Sequence, residues 1–128
     1  MAQQPNGVWI WNLSDIRSDY LDKLVKRKVK RIYLKVFDGK FQGKPTFWDW
    51  QCSPEMIQDF KSRNIEVYGW GYHYGTPDIG RQVVKVRQAV NCGLDGYIID
   101  LEKEVEDTKT HTNVDKLLSA LRLIVKEG

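Results

Sequence analysis

Cysteine is scarce in this chain, with two among 128 residues. Cys52 and Cys92 show no Cys-x-x-Cys spacing, so neither a disulfide framework nor a zinc site follows. Two free, buried thiols in a reducing compartment is the expectation. Long apolar runs are missing too. No stretch approaches the roughly 20 residues of a membrane-crossing helix. The N-terminal stretch, residues 1–7, has neither a basic region nor an apolar run, so no signal peptide is expected. Cellular location is left open between cytoplasm and a phage- or virion-associated site. Charge of one sign is not in excess: net charge is +3, too small to imply a nucleic-acid partner. There is no Gly-x-Gly-x-x-Gly and no Walker-type phosphate loop, which leaves the nucleotide-binding α/β folds without support and implies no cofactor. EF-hand spacing is also absent. The acidic residues Asp100, Glu102, Glu104, Glu106 and Asp107 could supply oxygen ligands to Ca²⁺ or Mg²⁺, but such runs are usually solvated, and no metal is expected.

What is present points to one globular domain over residues 1–128. Apolar content of 41% and charged content of 29% argue against disorder. Five tryptophans in so short a chain need a core or a binding surface to hold them.

The apolar pattern alternates between strand and helix. Residues 8–11, Val-Trp-Ile-Trp, read as a buried strand. Ser14 offers a cap for a helix whose inner face is Ile16, Tyr20, Leu21, Leu24 and Val25. The basic residues Lys23, Lys26, Arg27 and Lys28 take the solvated side. Residues 31–37 form a second strand, with Ile32, Leu34 and Val36 toward helices and Tyr33, Lys35 and Phe37 on the opposite face. Residues 38–52 read as a long loop, strongly aromatic through Phe41, Phe47, Trp48 and Trp50. Its rings could stack on a sugar or plug the end of a barrel. Ser53-Pro54 opens a helix with Met56, Ile57 and Phe60 inward. Residues 65–74 form a third strand of undecided parity, with His73 near its end as a possible acid, base or structural histidine. Thr76-Pro77 opens the next helix, with Ile79, Val83, Val86 and Val90 inward. Residues 94–102 form the fourth strand, residues 103–107 an acidic loop, and a last helix follows a Thr112 or Asn113 cap, with Val114 to Val125 supplying its apolar stripe.

This β-α-β-α-β-α-β-α order predicts an α/β fold with a parallel sheet and right-handed crossovers. Four such units, with larger polar side chains on one strand face, are half of a TIM-type barrel: a (βα)4 half-barrel, either a fragment or closed by a second half. Function is expected where strands run into helices. The fourth strand supplies the chemistry there, because Ile98, Asp100 and Glu102 share a face. Like charges this close in a semi-buried site raise one pKa, so one carboxyl could hold a proton near neutral pH. Glu102 could then act as a general acid while Asp100 stabilises positive charge, which suits cleavage of a glycosidic bond. The competing reading is a structural Asp-x-Glu pair that binds a cation such as Lys35.

Three stretches also resemble known enzymes. Asp95-Gly96-Tyr97-Ile98-Ile99-Asp100-Leu101-Glu102 is similar to the fourth-strand Asp-Gly-x-Asp-x-Asp-x-Glu signature of family 18 chitinases, with Ile98 replacing one Asp. It also resembles the Asp-x-Glu strand of family 25 muramidases. Lys35-Val36-Phe37-Asp38-Gly39 echoes the Lys-Ala-Thr-Glu-Gly that ends their second strand, and Gly71-Tyr72-His73-Tyr74 their Gly-x-Tyr-His-Phe. The resemblance spans roughly residues 7–102. It implies the N-terminal half of a glycoside-hydrolase (β/α) barrel, with Glu102 as general acid and Asp100 assisting the substrate's N-acetyl group or stabilising the transition state. The first strand lacks the acidic residue that the muramidases carry. Candidate substrate contacts are Trp9, Trp11, Lys35, Trp48, Trp50, Trp70, Tyr72 and His73. The expected partners are an N-acetylated polysaccharide, peptidoglycan or chitin, and a second copy or C-terminal half that closes the barrel; neither nucleic acid nor membrane is expected. The alternative is a non-catalytic module that binds glycan or protein through the aromatic loop.

Overall fold

In the computed structural model, residues 7–15 and 19–122 are described. They form strands β1 (Gly7–Ile10), β2 (Arg31–Phe41), β3 (Lys44–Phe47), β4 (Glu66–His73) and β5 (Gly96–Leu101). Helices α1 (Tyr20–Lys26), α2 (Pro54–Lys61), α3 (Ile79–Val90) and α4 (His111–Arg122) alternate with them. The architecture is α/β with a mostly parallel five-stranded sheet.

β1, β2, β4 and β5 lie side by side in chain order, and every neighbouring pair is parallel. Right-handed crossovers between sequential parallel strands put the connecting helices on one face. The core agrees. Ile32, Leu34, Val36 and Val67 from the sheet cluster with Leu24, Ile57, Phe60, Val86, Ala89, Leu117 and Leu121 from the four helices. The opposite sheet face carries no helix of the described residues.

Two local devices shape the C-terminal ends of the strands. The first is a β-bulge in β2. Lys35 pairs with Trp70 and Phe37 with Gly71, so two residues of β2 advance against one of β4. The bulge reverses the alternation. Phe37, expected beside Tyr33 and Lys35, turns into the core, and Asp38 comes to the face of Lys35 instead. The second device is a β-hairpin where a loop was expected. β2 runs on to Phe41, turns at Gln42 and Gly43, and returns antiparallel as β3. Both turn residues have positive φ, 52° and 84°, as a tight two-residue hairpin requires. Pro45 fits because β3 is an edge strand and the register shifts opposite it. Phe37 pairs with both Gly71 and Phe47, so β3 lies on the same side of β2 as β1.

Helix starts follow the sequence unevenly. The Ser53 hydroxyl accepts the Met56 N–H at 3.2 Å and Pro54 opens α2, as expected. In α3 the first residue is Ile79, and Pro77 stands ahead of the helix. Asp78 instead accepts hydrogen bonds from Thr76 Oγ1 and Gln82 Nε2, at 2.6 and 2.8 Å. α4 begins at His111, before both expected caps, because the short 3-10 turn at Thr108–Thr110 leads directly into it. Asn113 serves elsewhere: its side-chain amide donates to the Gly75 carbonyl at 3.0 Å. Ser14 falls in a 3-10 turn, Leu13–Asp15, and caps no described helix. Ile16, Ile124 and Val125 lie outside the described residues.

Candidate functional site

Register fixes what stands together on the helix-free face. Residues paired across a sheet share a face, and alternate residues of a strand return to it. Trp9, Tyr33, Tyr68 and Gly96 form one row. Lys35, Trp70 and Ile98 form the next, and Asp38, Tyr72 and Asp100 the third, nearest the strands' C-terminal ends. Glu102 follows Asp100 just beyond β5. The open face therefore runs from aromatic to acidic.

The aromatic part is a continuous strip. Trp9 stacks on Tyr33 at 4.4 Å and meets the edge of Trp70. Trp11 packs edge-on against Trp70, with ring centres 5.3 Å apart. Across Lys35 the strip continues into the hairpin, where Trp48, Trp50 and Phe41 lie within 4.9–5.5 Å of one another. These rings do different jobs. Trp70 lies over the β1–β2 backbone, donating its indole N–H to the Tyr33 carbonyl at 3.0 Å, and is buried. Trp48 is buried as well, and its indole N–H is the one buried side-chain polar group without a partner among the described residues. Trp9, Trp11 and Trp50 are 59%, 52% and 50% exposed.

Lys35 is sealed within this strip. Its ammonium sits 3.8 Å from the Trp11 ring centre, 4.6 Å from Trp48 and 5.3 Å from Trp70. Asp38 Oδ2 accepts its hydrogen bond at 2.7 Å. The cation–π contacts and the carboxylate together meet the cost of burying a charge. Gln51 locks the arrangement. Its amide donates to the carbonyls of Lys35 and Trp11, at 2.7 and 2.9 Å, and accepts the Leu13 N–H. Lys35 is thus a fixed part of the wall beneath the exposed rings.

The acidic end is open. Asp100 is half-buried and Glu102 exposed, and neither makes an ion pair among the described residues. A hydrogen bond that the protonated Glu102 carboxyl donates to Asp100, together with the repulsion of the Asp100 charge, pushes Glu102 above its ordinary pKa. Tyr72 donates to Glu104 at 2.8 Å, which raises the phenol well above its usual range. Asp100, Leu101, Glu102, Val105 and Glu106 line an open depression here. No group of three or more His, Cys, Asp or Glu among the described residues is placed to hold a metal ion.

His73 does not join this set. It alternates with Tyr72 and faces the helices, fully buried, stacked on Phe37 at 4.7 Å. The Gln82 amide is oriented by its bond to Asp78, so its oxygen accepts from His73 Nδ1–H at 2.8 Å. His73 Nε2 then accepts the Tyr97 hydroxyl at 2.7 Å. Gly71 makes room for that hydroxyl, since a Cβ there would collide with it. Burial lowers the His73 pKa from 6.5 to about 4, so the ring is neutral near pH 7.

The face thus unites Trp9, Trp11, Lys35, Trp48, Trp50, Trp70 and Tyr72 with Asp100 and Glu102, and excludes His73. Sequence reading gave no role in the site to Asp38, Gln51 or Tyr68, and named Glu104 only as a metal-ligand candidate. For Asp38 the available signal was its position three residues after a lysine that needs a counter-charge. Comparison with protein families, with curated proteins and with solved structures finds no match to this chain.

Proposed function

We propose that the open sheet face handles an N-acetylated polysaccharide, peptidoglycan or chitin, as the site of a glycoside-hydrolase-type domain. Glu102 is the general acid and Asp100 stabilises the developing positive charge. The observation that carries this reading is the carboxyl pair at the C-terminal end of β5, where Asp100 raises the Glu102 pKa, on a sheet face that also carries exposed tryptophans. A carboxyl whose pKa is raised by its neighbour is better suited to deliver a proton to a leaving oxygen. Aromatic faces bind the apolar faces of sugar rings. The resemblance of residues 94–102 to the chitinase and muramidase strands supports the same roles.

The barrel follows from this reading. Parallel strands in chain order support half of a (β/α)8 barrel as the scaffold. A second half, from another copy or from further βα units, would enclose Glu102 and raise its pKa further by desolvation. Light scattering on the purified protein tests the first source: a dimer supports assembly from two copies, and a monomer removes it.

The exposure of Glu102 favours a second reading, a glycan-binding module without turnover. The two separate in one experiment on the full-length protein. Loss of turnover in Glu102→Gln supports the hydrolase. Glycan binding that Trp9→Ala and Trp11→Ala abolish, with no turnover in the unaltered protein, supports the module.

A further inference from the structure

We propose that Cys52 and Cys92 form an oxidisable dithiol, a modification site closed by disulfide reagents into an intramolecular bridge. The two residues stand at adjoining helix ends. Cys52 precedes Ser53, the N-cap of α2, and Cys92 follows Asn91, the C-cap of α3. Cys92 Sγ lies 3.6 Å from the Cys52 carbonyl oxygen and 3.4 Å from that of Gln88, and Cys52 Sγ lies 3.9 Å from that of Ala89, so both thiols sit against the last turn of α3. Both are free.

Their surroundings divide the roles. Cys52 is buried, 1% exposed, packed toward the Ala89 carbonyl at the end of α3. Cys92 is half-exposed, and reagent reaches it first. The Cys52 S–H bond favours the Cys92 thiolate, although burial holds both thiols above their ordinary pKa. Thiolate is the attacking species, so closure is slow at neutral pH and faster as pH rises.

With oxidised glutathione the steps balance. Cys92 loses its proton and attacks one sulfur, forming a mixed disulfide and releasing one glutathione thiolate. Cys52 loses its proton and attacks the Cys92 sulfur, releasing the second. Two protein thiols are oxidised and one glutathione disulfide is reduced to two thiols. The bridge would fasten the segment carrying Trp48, Trp50 and Gln51 to the end of α3.

Oxidised glutathione applied to the native protein, followed by alkylation in denaturant and intact mass measurement, tests this. The expected product is a monomer lighter by two hydrogens, with no alkylated thiol and a melting temperature several degrees higher. Cys52→Ala is expected to stop at a glutathione adduct on Cys92, and Cys92→Ala to stay unmodified. Two alkylatable thiols after treatment, a stable glutathione adduct on the unaltered protein, or a disulfide-linked dimer each overturns the proposal. The measurement on the unaltered chain decides even where a variant fails to fold.

Discussion

Asp38 holds the buried ammonium of Lys35 at 2.7 Å, three residues along a bulged strand, under the rings of Trp11, Trp48 and Trp70. Asp38 is itself held by the Lys40 N–H at 2.8 Å. Removing one partner of such a pair strands the other charge in a dry place. Asp38→Ala and Lys35→Met each leave one buried charge without its partner, so each is expected to cost about 3–5 kcal/mol. Urea denaturation of the two single variants and the double variant checks this, and the double variant is expected to lose clearly less than the sum. Additive losses would mean that the pair is not the reason for the geometry.

The tryptophans divide by exposure, and the division predicts two kinds of variant. Trp70→Ala empties a buried site and removes an indole N–H bonded to the Tyr33 carbonyl, so a loss of about 3–5 kcal/mol is expected. Trp9 and Trp11 are more than half exposed, so their alanine variants keep most of the stability and lose glycan affinity. Thermal melts and a pull-down on insoluble chitin or peptidoglycan separate the two effects.

His73 sets a pH dependence of stability. Burial lowers its pKa from 6.5 to about 4, so between those values the unfolded chain takes up a proton that the folded chain refuses. Stability then rises with pH across the window. The contribution is fully present above about pH 6.5 and is lost as pH falls toward 4, a change of about 3 kcal/mol. Denaturation of the unaltered protein and His73→Gln at pH 4 and pH 7 isolates it, because the other groups titrate in both. An identical slope in the variant removes His73 as the cause.

Tyr97 is the hydroxyl partner of that ring. Tyr97→Phe leaves His73 Nε2 buried without a donor, at an expected cost of about 1–3 kcal/mol at neutral pH. It also weakens the preference for the neutral ring, so the pH slope becomes shallower. Parallel denaturation series check both effects.

Much of this was legible before any coordinates. Strand and helix alternation came through because the apolar periods change cleanly, from Val8-Trp9-Ile10 to the spacing of Leu21 and Leu24. The nearness of Asp100 and Glu102 was legible because Asp100 lies in β5 and Glu102 directly follows the strand's last residue. The Lys35–Asp38 pair did not. Simple alternation puts the two residues on opposite faces, and only the bulge before Phe37 brings them together. The hairpin stayed hidden because its turn is Gln42-Gly43, where a residue other than Asn, Asp or Gly takes the first positive φ. His73 follows Tyr72 in sequence but stands on the other face, and its partners Gln82 and Tyr97 belong to other elements. Motif order alone could not say which of the two would meet Asp100.

Turnover of soluble chitin or peptidoglycan fragments by the full-length protein and its Glu102→Gln variant, across pH, tests the central claim most directly. Loss of at least about 100-fold in kcat is expected, with glycan binding retained, since the substitution removes the proton and little else. In the unaltered protein, activity should fall as pH rises past the raised pKa that Asp100 gives Glu102, and Asp100→Asn should move that limb downward. Turnover that Glu102→Gln leaves intact, or a full-length protein that binds glycan and never cleaves it, would contradict the account.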